Sequence, residues 1–157
     1  MGFPAGIVEL VDILSQVGVE EAVICPGSRN APLMLALVRH PKIHCYSISD
    51  ERSAGFFGLG LVLASKKPVI LCCTSGSAGL NFTPAVVEAF FQELPLLVFT
   101  ADRPAEWIGQ WDGQTIYQKE LYGKHVKQFI DFPTDSLKKA NYYVDLGMGA
   151  YQQACAE

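Results

Sequence analysis

The sequence predicts an open α/β fold in which helices flank a mostly parallel sheet. Segments with helical periodicity alternate with short apolar runs, as in strands joined by crossover helices. Most of these runs lack polar alternation, and continuously apolar strands suit a sheet covered on both faces. The 157 residues are 50% hydrophobic and 18% charged. This length and composition are typical of one ordered domain.

The first half of the chain provides two strands and three helices. Apolar residues recur at helical spacing from position 7, and Gly18 ends that helix. Pro26-Gly27 ends the first strand, and Asn30 and Asp50 are the predicted N-caps of the helices that follow the two strands. In order, the elements are expected at 7–17 (helix), 22–25 (strand), 31–39 (helix), 43–48 (strand) and 51–65 (helix).

The second half continues the alternation and ends in a helix. Thr83-Pro84 is expected to restart the helix that follows the turn at 74–77. Residues 102–118 have weak periodicity and are predicted to form a functional loop. The last helix has no evident end before residue 157, so we expect the chain to be part of a longer protein. In order, the elements are expected at 68–73 (strand), 77–91 (helix), 95–100 (strand), 126–132 (strand) and 137–154 (helix).

Charge and hydropathy argue against nucleic-acid and membrane partners. The formal net charge is −4, and the Lys and Arg residues are scattered rather than clustered. The longest strongly apolar stretch, 54–64, is too short to span a bilayer and contains three glycines. The N-terminus lacks the features of a signal peptide. We therefore expect a cytoplasmic protein without membrane insertion.

The cysteines and histidines predict no metal site. The chain has five cysteines without a C-x-x-C pair, and its three histidines form no cluster at ligand spacing. A reduced cysteine inside an apolar strand behaves as a small buried hydrophobe. We interpret the cysteines as structural; they are Cys25, Cys45, Cys72, Cys73 and Cys155.

Four polar segments follow directly after predicted strands. In open α/β sheets, ligands bind beyond the carboxyl ends of the strands, so these segments are expected to share one site. None is a G-x-G-x-x-G or Walker motif, which argues against a nucleotide-binding Rossmann domain. The turn Ser75-Gly76-Ser77 offers backbone N–H groups for an anion or a polar ring, or serves only as a helix cap. The segments are 26–29, 50–52, 74–77 and 100–104.

The chain resembles the family of 2-succinyl-5-enolpyruvyl-6-hydroxy-3-cyclohexene-1-carboxylate synthases, thiamine-diphosphate enzymes of menaquinone biosynthesis. The order and spacing of its motifs match the family over roughly residues 24–118. Each motif alone is weak, but the combination is specific. The motifs are C-P-G-S-R-N-A-P at 25–32, D-E-R at 50–52, T-S-G-S-A at 74–78 and T-A-D-R-P at 100–104.

This resemblance implies a domain, a cofactor and a reaction. Residues 1–157 correspond to the first of the family's three domains, which binds the aminopyrimidine ring of thiamine diphosphate. The C-terminal domain binds the diphosphate through Mg²⁺ with a G-D-G motif that this chain lacks. The family reaction is a carboligase (transferase) reaction that joins 2-oxoglutarate to isochorismate with loss of CO₂. The chain alone is therefore expected to be inactive.

The resemblance also implies a homodimer or homotetramer. In the family, the N-terminal domain of one subunit faces the diphosphate domain of its partner. Gly55, Gly58 and Gly60 lie in the third predicted helix, where they indicate either close packing on the sheet or helix contact across a dimer. We favour the dimer contact, because a helix that also carries Phe56 and Phe57 needs cover on several sides.

Glu51 is the predicted catalytic residue. In the family, a carboxyl group shares a proton with a pyrimidine ring nitrogen of the cofactor, so Glu51 both binds and activates it. The alternative is a helix cap, since a carboxylate complements the helix dipole. Asp50 already fills that position, which favours the catalytic role for Glu51.

Six further residues are candidates by resemblance. Pro26 and Ser77 are expected to contact the cofactor. The chain departs from the family at 110–113, where small residues and often an Asn precede the glutamine, so the conformation of this loop is not predicted. The family positions that contact the acceptor substrate, isochorismate, correspond here to Ser28, Arg29, Arg103 and Gln114.

Two other functions remain open from the sequence. The domain also occurs in other thiamine-diphosphate lyases and decarboxylases, although the motifs at 26–29 and 100–104 favour the synthase. The chain is alternatively a non-catalytic α/β domain that binds a small anion through Arg29, Arg103 and the turn at 75–77. A diphosphate-binding motif downstream in the same protein would exclude this second alternative.

Overall fold

A four-stranded parallel sheet forms the centre of the computed structural model, which describes residues 5–132, 148, 149 and 151–155. The strand order is β2-β1-β3-β4, and all three pairings are parallel. This confirms the predicted fold class. The strands are β1 (Glu21–Ile24), β2 (His44–Ser47), β3 (Val69–Cys73) and β4 (Leu96–Thr100).

Helices cover both faces of this sheet. Ala22 and Ile24 of β1 pack against the N-terminal helices, whereas Val23 between them packs against helices of the other face. This alternation follows from the period of two along a strand, and it gives three layers. No helix within the described residues is both long and apolar enough to traverse a bilayer. The helices are α1 (Ala5–Gln16), α2 (Ala31–Arg39), α3 (Glu51–Ser65), α4 (Ser77–Asn81) and α5 (Thr83–Phe91), and a 3₁₀ turn spans Ala105–Trp107.

Of the two predicted N-caps, Asp50 is confirmed, whereas Asn30 lies at the predicted position but does not cap the helix with its side chain. The Asp50 carboxylate accepts a hydrogen bond of 2.7 Å from the backbone N–H of Ser53. Hydrogen bonding by the side chain of Ser53, and then by its backbone N–H, lowers the pKa of Asp50. Asn30 stands at the N-cap position of α2, but its side chain makes no cap hydrogen bond. Its Nδ2 instead donates to the carbonyl of Cys25 at 2.9 Å. The backbone at Asn30 explains the difference, because its φ of −87° and ψ of 4° lie outside the extended region of a capping residue, and Pro32 in addition has no N–H to donate.

The predicted strand at 126–132 is wrong, because this segment forms bends and irregular backbone without pairing to β4. Its apolar side chains are used in a different way. Val126 packs against the core on the α3 side of the sheet, and Phe132 packs against the core on the α1 side. The segment therefore passes from one face to the other instead of adding a strand. In the predicted last helix, residues 148, 149 and 151–155 are helical, and the rest lies outside the described residues.

Packing within the chain explains two of the three glycines of α3. A Cβ on Gly55 would lie 2.8 Å from the Cβ of Ala85 in α5, and a Cβ on Gly58 would lie 2.5 Å from Cδ2 of Leu71 in β3. A Cβ on Gly60 would meet no atom within 4 Å. The close-packing interpretation thus holds for Gly55 and Gly58, and only Gly60 lies on the open side of the helix.

We expect opposite stability changes from Gly55→Ala and Gly60→Ala. At Gly55 the new methyl meets the immobile Cβ of Ala85, and overpacking of this kind costs about 1–3 kcal/mol. At Gly60 the methyl meets open space, so the better helix propensity of alanine adds up to about 1 kcal/mol. Urea unfolding followed by circular dichroism measures both changes. Equal shifts in the two variants would contradict this account of the packing.

Candidate functional site

The four polar turns lie at one edge of the sheet, beyond the carboxyl ends of the strands. This follows from the parallel pairing, which directs all four strands the same way. The chain leaves β1 toward β2 on one side and later returns to β3 on the other. The crevice between the ends of β1 and β3 is therefore the topological switch point, where ligands bind in open α/β sheets.

The turns that follow β1 and β3 touch each other across this crevice. A Cβ on Gly27 would lie 2.4 Å from the Cβ of Thr74, so no other residue fits without moving one of the two turns. Asn30 reinforces the junction, since its Nδ2 also lies 3.5 Å from Sγ of Cys72 in β3. The floor of the crevice is thereby held in a defined shape.

Glu51 lies beside this floor, as the first and half-buried residue of α3. Its charge affects the pKa values of the cysteine thiols at the ends of β1 and β3. Burial, and then the charge of Glu51, raise the pKa of Cys25 to about 12. The pKa of Cys73 is raised by burial first, with Cys72, Cys25 and Glu51 as further causes. The charge of Glu51 is therefore close enough to the ends of β1 and β3 to act on both buried thiols.

Two hydroxyl groups in the turn after β3 are buried and lack a partner. Oγ1 of Thr74 and Oγ of Ser75 make no hydrogen bond, and Ser75 is only 1% exposed. Most buried polar groups in proteins are paired, so each unpaired one needs an explanation. Both hydroxyls thus lie unpaired beneath the surface of the turn that follows β3.

Gln118 is a buried residue that joins two of the turns, and the sequence analysis did not identify it. Its Oε1 accepts a hydrogen bond of 2.7 Å from the N–H of Gly76, and its Nε2 donates to the carbonyl of Ala101 at 2.9 Å. The Gly76 N–H is thus already used, which reduces what the turn at 75–77 offers an anion. No local pattern indicates Gln118, because both partners are distant in sequence.

Arg103 is largely buried, with its side chain 10% exposed. Its Nη2 donates to the carbonyl of Gly113 at 2.7 Å. Its Nε lies 3.7 Å from Oδ2 of Asp112, an ion pair that is too long for a hydrogen bond. Nε and Nη1 therefore lack hydrogen-bond partners, although both are buried. A buried guanidinium with unpaired N–H groups is suited to binding a carboxylate.

Arg29 points to the same region from the turn after β1. Its guanidinium carbon lies 5.6 Å from the centre of the Trp107 ring, within the range of a cation–π contact. Arg29 and Arg103 line one open cleft of about 1330 Å³, which Gln118 also lines. The structure therefore brings the two predicted arginines to one cavity.

The remaining predicted residues lie at the same edge with fewer contacts. Pro26, Ser28 and Ser77 are exposed on the turns after β1 and β3. Gln114 is exposed and has a positive φ of 59°. Its backbone packs on Gly76, where a Cβ would lie 3.0 Å from the Gln114 carbonyl oxygen. The side chain of Gln114 is thus free on the surface, and its backbone is held at the site.

The described residues contain no group of three His, Cys, Asp or Glu side chains arranged to hold a metal ion. All five cysteines are unpaired. The chemistry available at this edge is therefore a half-buried carboxylate, buried hydroxyls beside it, and two guanidinium groups in the adjoining cleft.

Comparison with known proteins identifies the family of this domain. Residues 8–126 match the family model described as "Thiamine pyrophosphate enzyme, N-terminal TPP binding domain". This match includes all four strands and all four turns. It ends at residue 126, the first residue of the segment whose predicted strand is absent.

Similar proteins from several bacteria carry one name, "2-succinyl-5-enolpyruvyl-6-hydroxy-3-cyclohexene-1-carboxylate synthase". The protein from Bacteroides fragilis is 48% identical over 137 residues, which cover 87% of this chain and 25% of the relative. The protein from Phocaeicola vulgatus is 53% identical over 127 residues, covering 81% and 23%. The protein from Listeria innocua is 54% identical over 121 residues, covering 77% and 21%.

The chain spans about a quarter of the length of the curated relatives it matches. The part that is matched contains the four strands of the described residues and the edge that carries Glu51, Arg29 and Arg103. The chain belongs to the thiamine pyrophosphate enzymes, as a member of their N-terminal TPP-binding domain family.

Proposed function

We propose that this chain is the aminopyrimidine-binding domain of a carboligase that joins 2-oxoglutarate to isochorismate with loss of CO₂, a cytoplasmic step of menaquinone biosynthesis. The observation that carries the proposal is the position of Glu51, half-buried at the switch point beside the thiols of Cys25 and Cys73. The names of the similar proteins support the choice of reaction.

The residues at the crevice fit the aminopyrimidine ring of thiamine diphosphate. Glu51 would hold one ring nitrogen, and Pro26 and Ser77 would contact the ring from the turns after β1 and β3. The unpaired hydroxyls of Thr74 and Ser75 support a polar ligand here. When bound, the cofactor supplies the carbanion chemistry that no side chain can perform.

The task of Glu51 is to hold a proton at the pyrimidine nitrogen. Its partial burial favours a strong hydrogen bond, because hydrogen bonds of a carboxyl group strengthen where solvent is less accessible. Asp50 already caps α3, so the Glu51 side chain is not needed for the helix start. Proton transfer at one ring atom is thus the role that its position supports.

Arg103 and Arg29 are the proposed ligands of the acceptor. Isochorismate carries two carboxylates, and the planar guanidinium binds a carboxylate through two parallel hydrogen bonds. Arg103 has two buried nitrogens without hydrogen-bond partners, and Arg29 lines the same cleft. Ser28 and Gln114 are proposed to complete this acceptor site.

The proposal places the diphosphate and its Mg²⁺ on a second domain supplied by a partner subunit, in a homodimer or homotetramer. The outer face of α3 is the proposed contact with a second copy. Apolar groups on this face are exposed, with Phe56 at 47%, Phe57 at 41% and Leu63 at 46%. Contiguous exposed apolar surface of this kind is uncommon on monomeric proteins and typical of interfaces.

We expect the chain to self-associate through the outer face of α3, and Phe56→Glu to abolish this association. Val38→Glu is the matched control, because Val38 is 57% exposed but lies on α2, on the opposite side of the sheet. Light scattering across a concentration series measures the mass of each variant. A monomeric wild-type chain, or equal loss of association in both variants, would contradict the proposed contact.

Calorimetric titration with thiamine diphosphate and Mg²⁺ tests the domain assignment. The chain alone should bind the cofactor weakly, because the diphosphate and its metal contribute much of the affinity through the other domain. The complete protein should bind tightly and form product from isochorismate and 2-oxoglutarate. Tight, metal-dependent binding to the chain alone would contradict the assignment. Release of CO₂ over many turnovers without use of any acceptor would favour another decarboxylase, because the carboligase should stop after one turnover when isochorismate is absent.

A further inference from the structure

The loop at 109–114 brings a carboxylate of the chain itself to the buried arginine of the proposed acceptor site. Nε of Arg103 lies 3.7 Å from Oδ2 of Asp112, and the next carbonyl, that of Gly113, accepts from Nη2. The Asp112 side chain is 45% exposed, whereas that of Arg103 is 10% exposed. The buried cation is therefore neutralised from the solvent side by a residue of the loop.

The backbone of this loop adopts a conformation of elevated energy. Trp111 and Gln114 have positive φ values of 60° and 59°, and this left-handed region costs roughly 1–2 kcal/mol for a residue other than glycine. Trp111 is fully exposed, so its side chain provides no compensating burial. The contacts of Arg103 with Asp112 and with the Gly113 carbonyl therefore hold a loop whose backbone is not at its lowest energy.

We propose that Asp112 is an internal competitor for the anionic acceptor at Arg103. In the absence of acceptor, the Asp112 carboxylate forms an ion pair with the guanidinium of Arg103. It must move away from Arg103 before an acceptor carboxylate can bind there. Asp112 is a positioning residue that sets acceptor affinity, without a role in the decarboxylation of the donor. This inference rests on the proposed function, since it assumes that Arg103 binds the acceptor.

The ion pair between Asp112 and Arg103 should contribute as little free energy as a surface ion pair, because Asp112 is 45% exposed. Such pairs change affinity by about two- to fivefold, because solvent screens the charge of the exposed partner. Removal of the Asp112 charge should therefore lower the Kd and the KM of isochorismate by this factor. The kcat at saturating isochorismate should be unchanged, because the competitor is then already displaced.

The test uses the complete enzyme loaded with thiamine diphosphate and Mg²⁺. Isochorismate binding is measured by calorimetry without 2-oxoglutarate, so that no turnover occurs, and KM is measured separately. Asp112→Asn and Asp112→Ala should both lower the Kd and KM of isochorismate. Asp112→Glu keeps the charge and should leave both values near those of the wild type. An unchanged or higher Kd in the Asn and Ala variants would overturn the inference.

Two controls show whether Asp112 acts through Arg103. Glu106→Gln removes an equal charge from an exposed residue of the same segment, and it should leave Kd unchanged. In an Arg103→Ala background, Asp112→Asn should have no further effect, and an equal effect in both backgrounds would overturn the inference. An enzyme without carboligase activity would instead contradict the proposed function, whereas an active enzyme with an unaltered Asp112→Asn affinity contradicts only this inference.

Discussion

Glu51→Gln in the complete enzyme is expected to lower the carboligase rate by about 10²–10⁴-fold, the usual range for loss of a general acid–base group. The amide has nearly the same shape as the carboxyl but cannot hold or exchange the proton at the pyrimidine nitrogen. Proton exchange at C2 of the cofactor, followed by NMR, should slow in parallel. The fold should persist, because the cap of α3 belongs to Asp50.

Asp50→Asn is the matched control for this prediction. It removes a neighbouring charge of the same sign, but asparagine caps a helix as well as aspartate does, so the start of α3 should be preserved. We expect activity near that of the wild type. If C2 proton exchange were normal in Glu51→Gln, or equally slow in Asp50→Asn, Glu51 would not have the proposed role.

Arg103→Ala should impair use of the acceptor and spare the donor half-reaction. The loss of a charge-assisted hydrogen-bonded contact costs about 1.5–3 kcal/mol, or roughly ten- to a hundredfold in kcat/KM for isochorismate. Release of CO₂ from 2-oxoglutarate in a single turnover without acceptor should remain close to normal. The two measurements together separate acceptor binding from activation of the cofactor.

Arg103→Lys provides the second half of this test. Lysine keeps the charge but cannot reproduce the paired hydrogen bonds of the guanidinium, so it should recover only part of the lost acceptor affinity. Because Nη2 of Arg103 also binds the carbonyl of Gly113, thermal unfolding of each variant identifies any loss of loop structure. Collapse of the donor half-reaction with normal acceptor affinity would assign Arg103 to cofactor activation or to structure.

The parallel sheet and its ligand-binding edge could be predicted from the sequence because their causes are local. The buried strands are short apolar runs bounded by turns, and the period of two or 3.6 residues distinguishes strands from helices. The Asp50 cap of α3 was predictable for the same reason, since cap and helix are adjacent in sequence. The four turns follow the strands directly, so the placement of Glu51 and Arg103 at one edge required only the rule for parallel sheets.

The two failures have different causes. Apolar residues at 126–132 predict a strand. Apolar content alone does not distinguish a segment that hydrogen-bonds to a neighbouring strand from one whose side chains only pack against the core. Asn30 has the chemistry of a cap, yet the proline two residues later and the carbonyl of Cys25 direct its side chain elsewhere. The first outcome depends on distant parts of the chain, whereas the second depends on the backbone conformation at Asn30, which the residue type alone does not specify.

The sequence by itself determined the fold class, the edge of the sheet where ligands bind, and the candidacy of Glu51, Arg29 and Arg103. Only the tertiary structure decided how that edge is held together. Gln118 links Gly76 to Ala101, and Asp112 reaches Arg103, through contacts that depend on the path of the loop at 102–118. Periodicity and turn chemistry record short-range preferences, whereas the path of an irregular loop is set by the sum of its distant contacts.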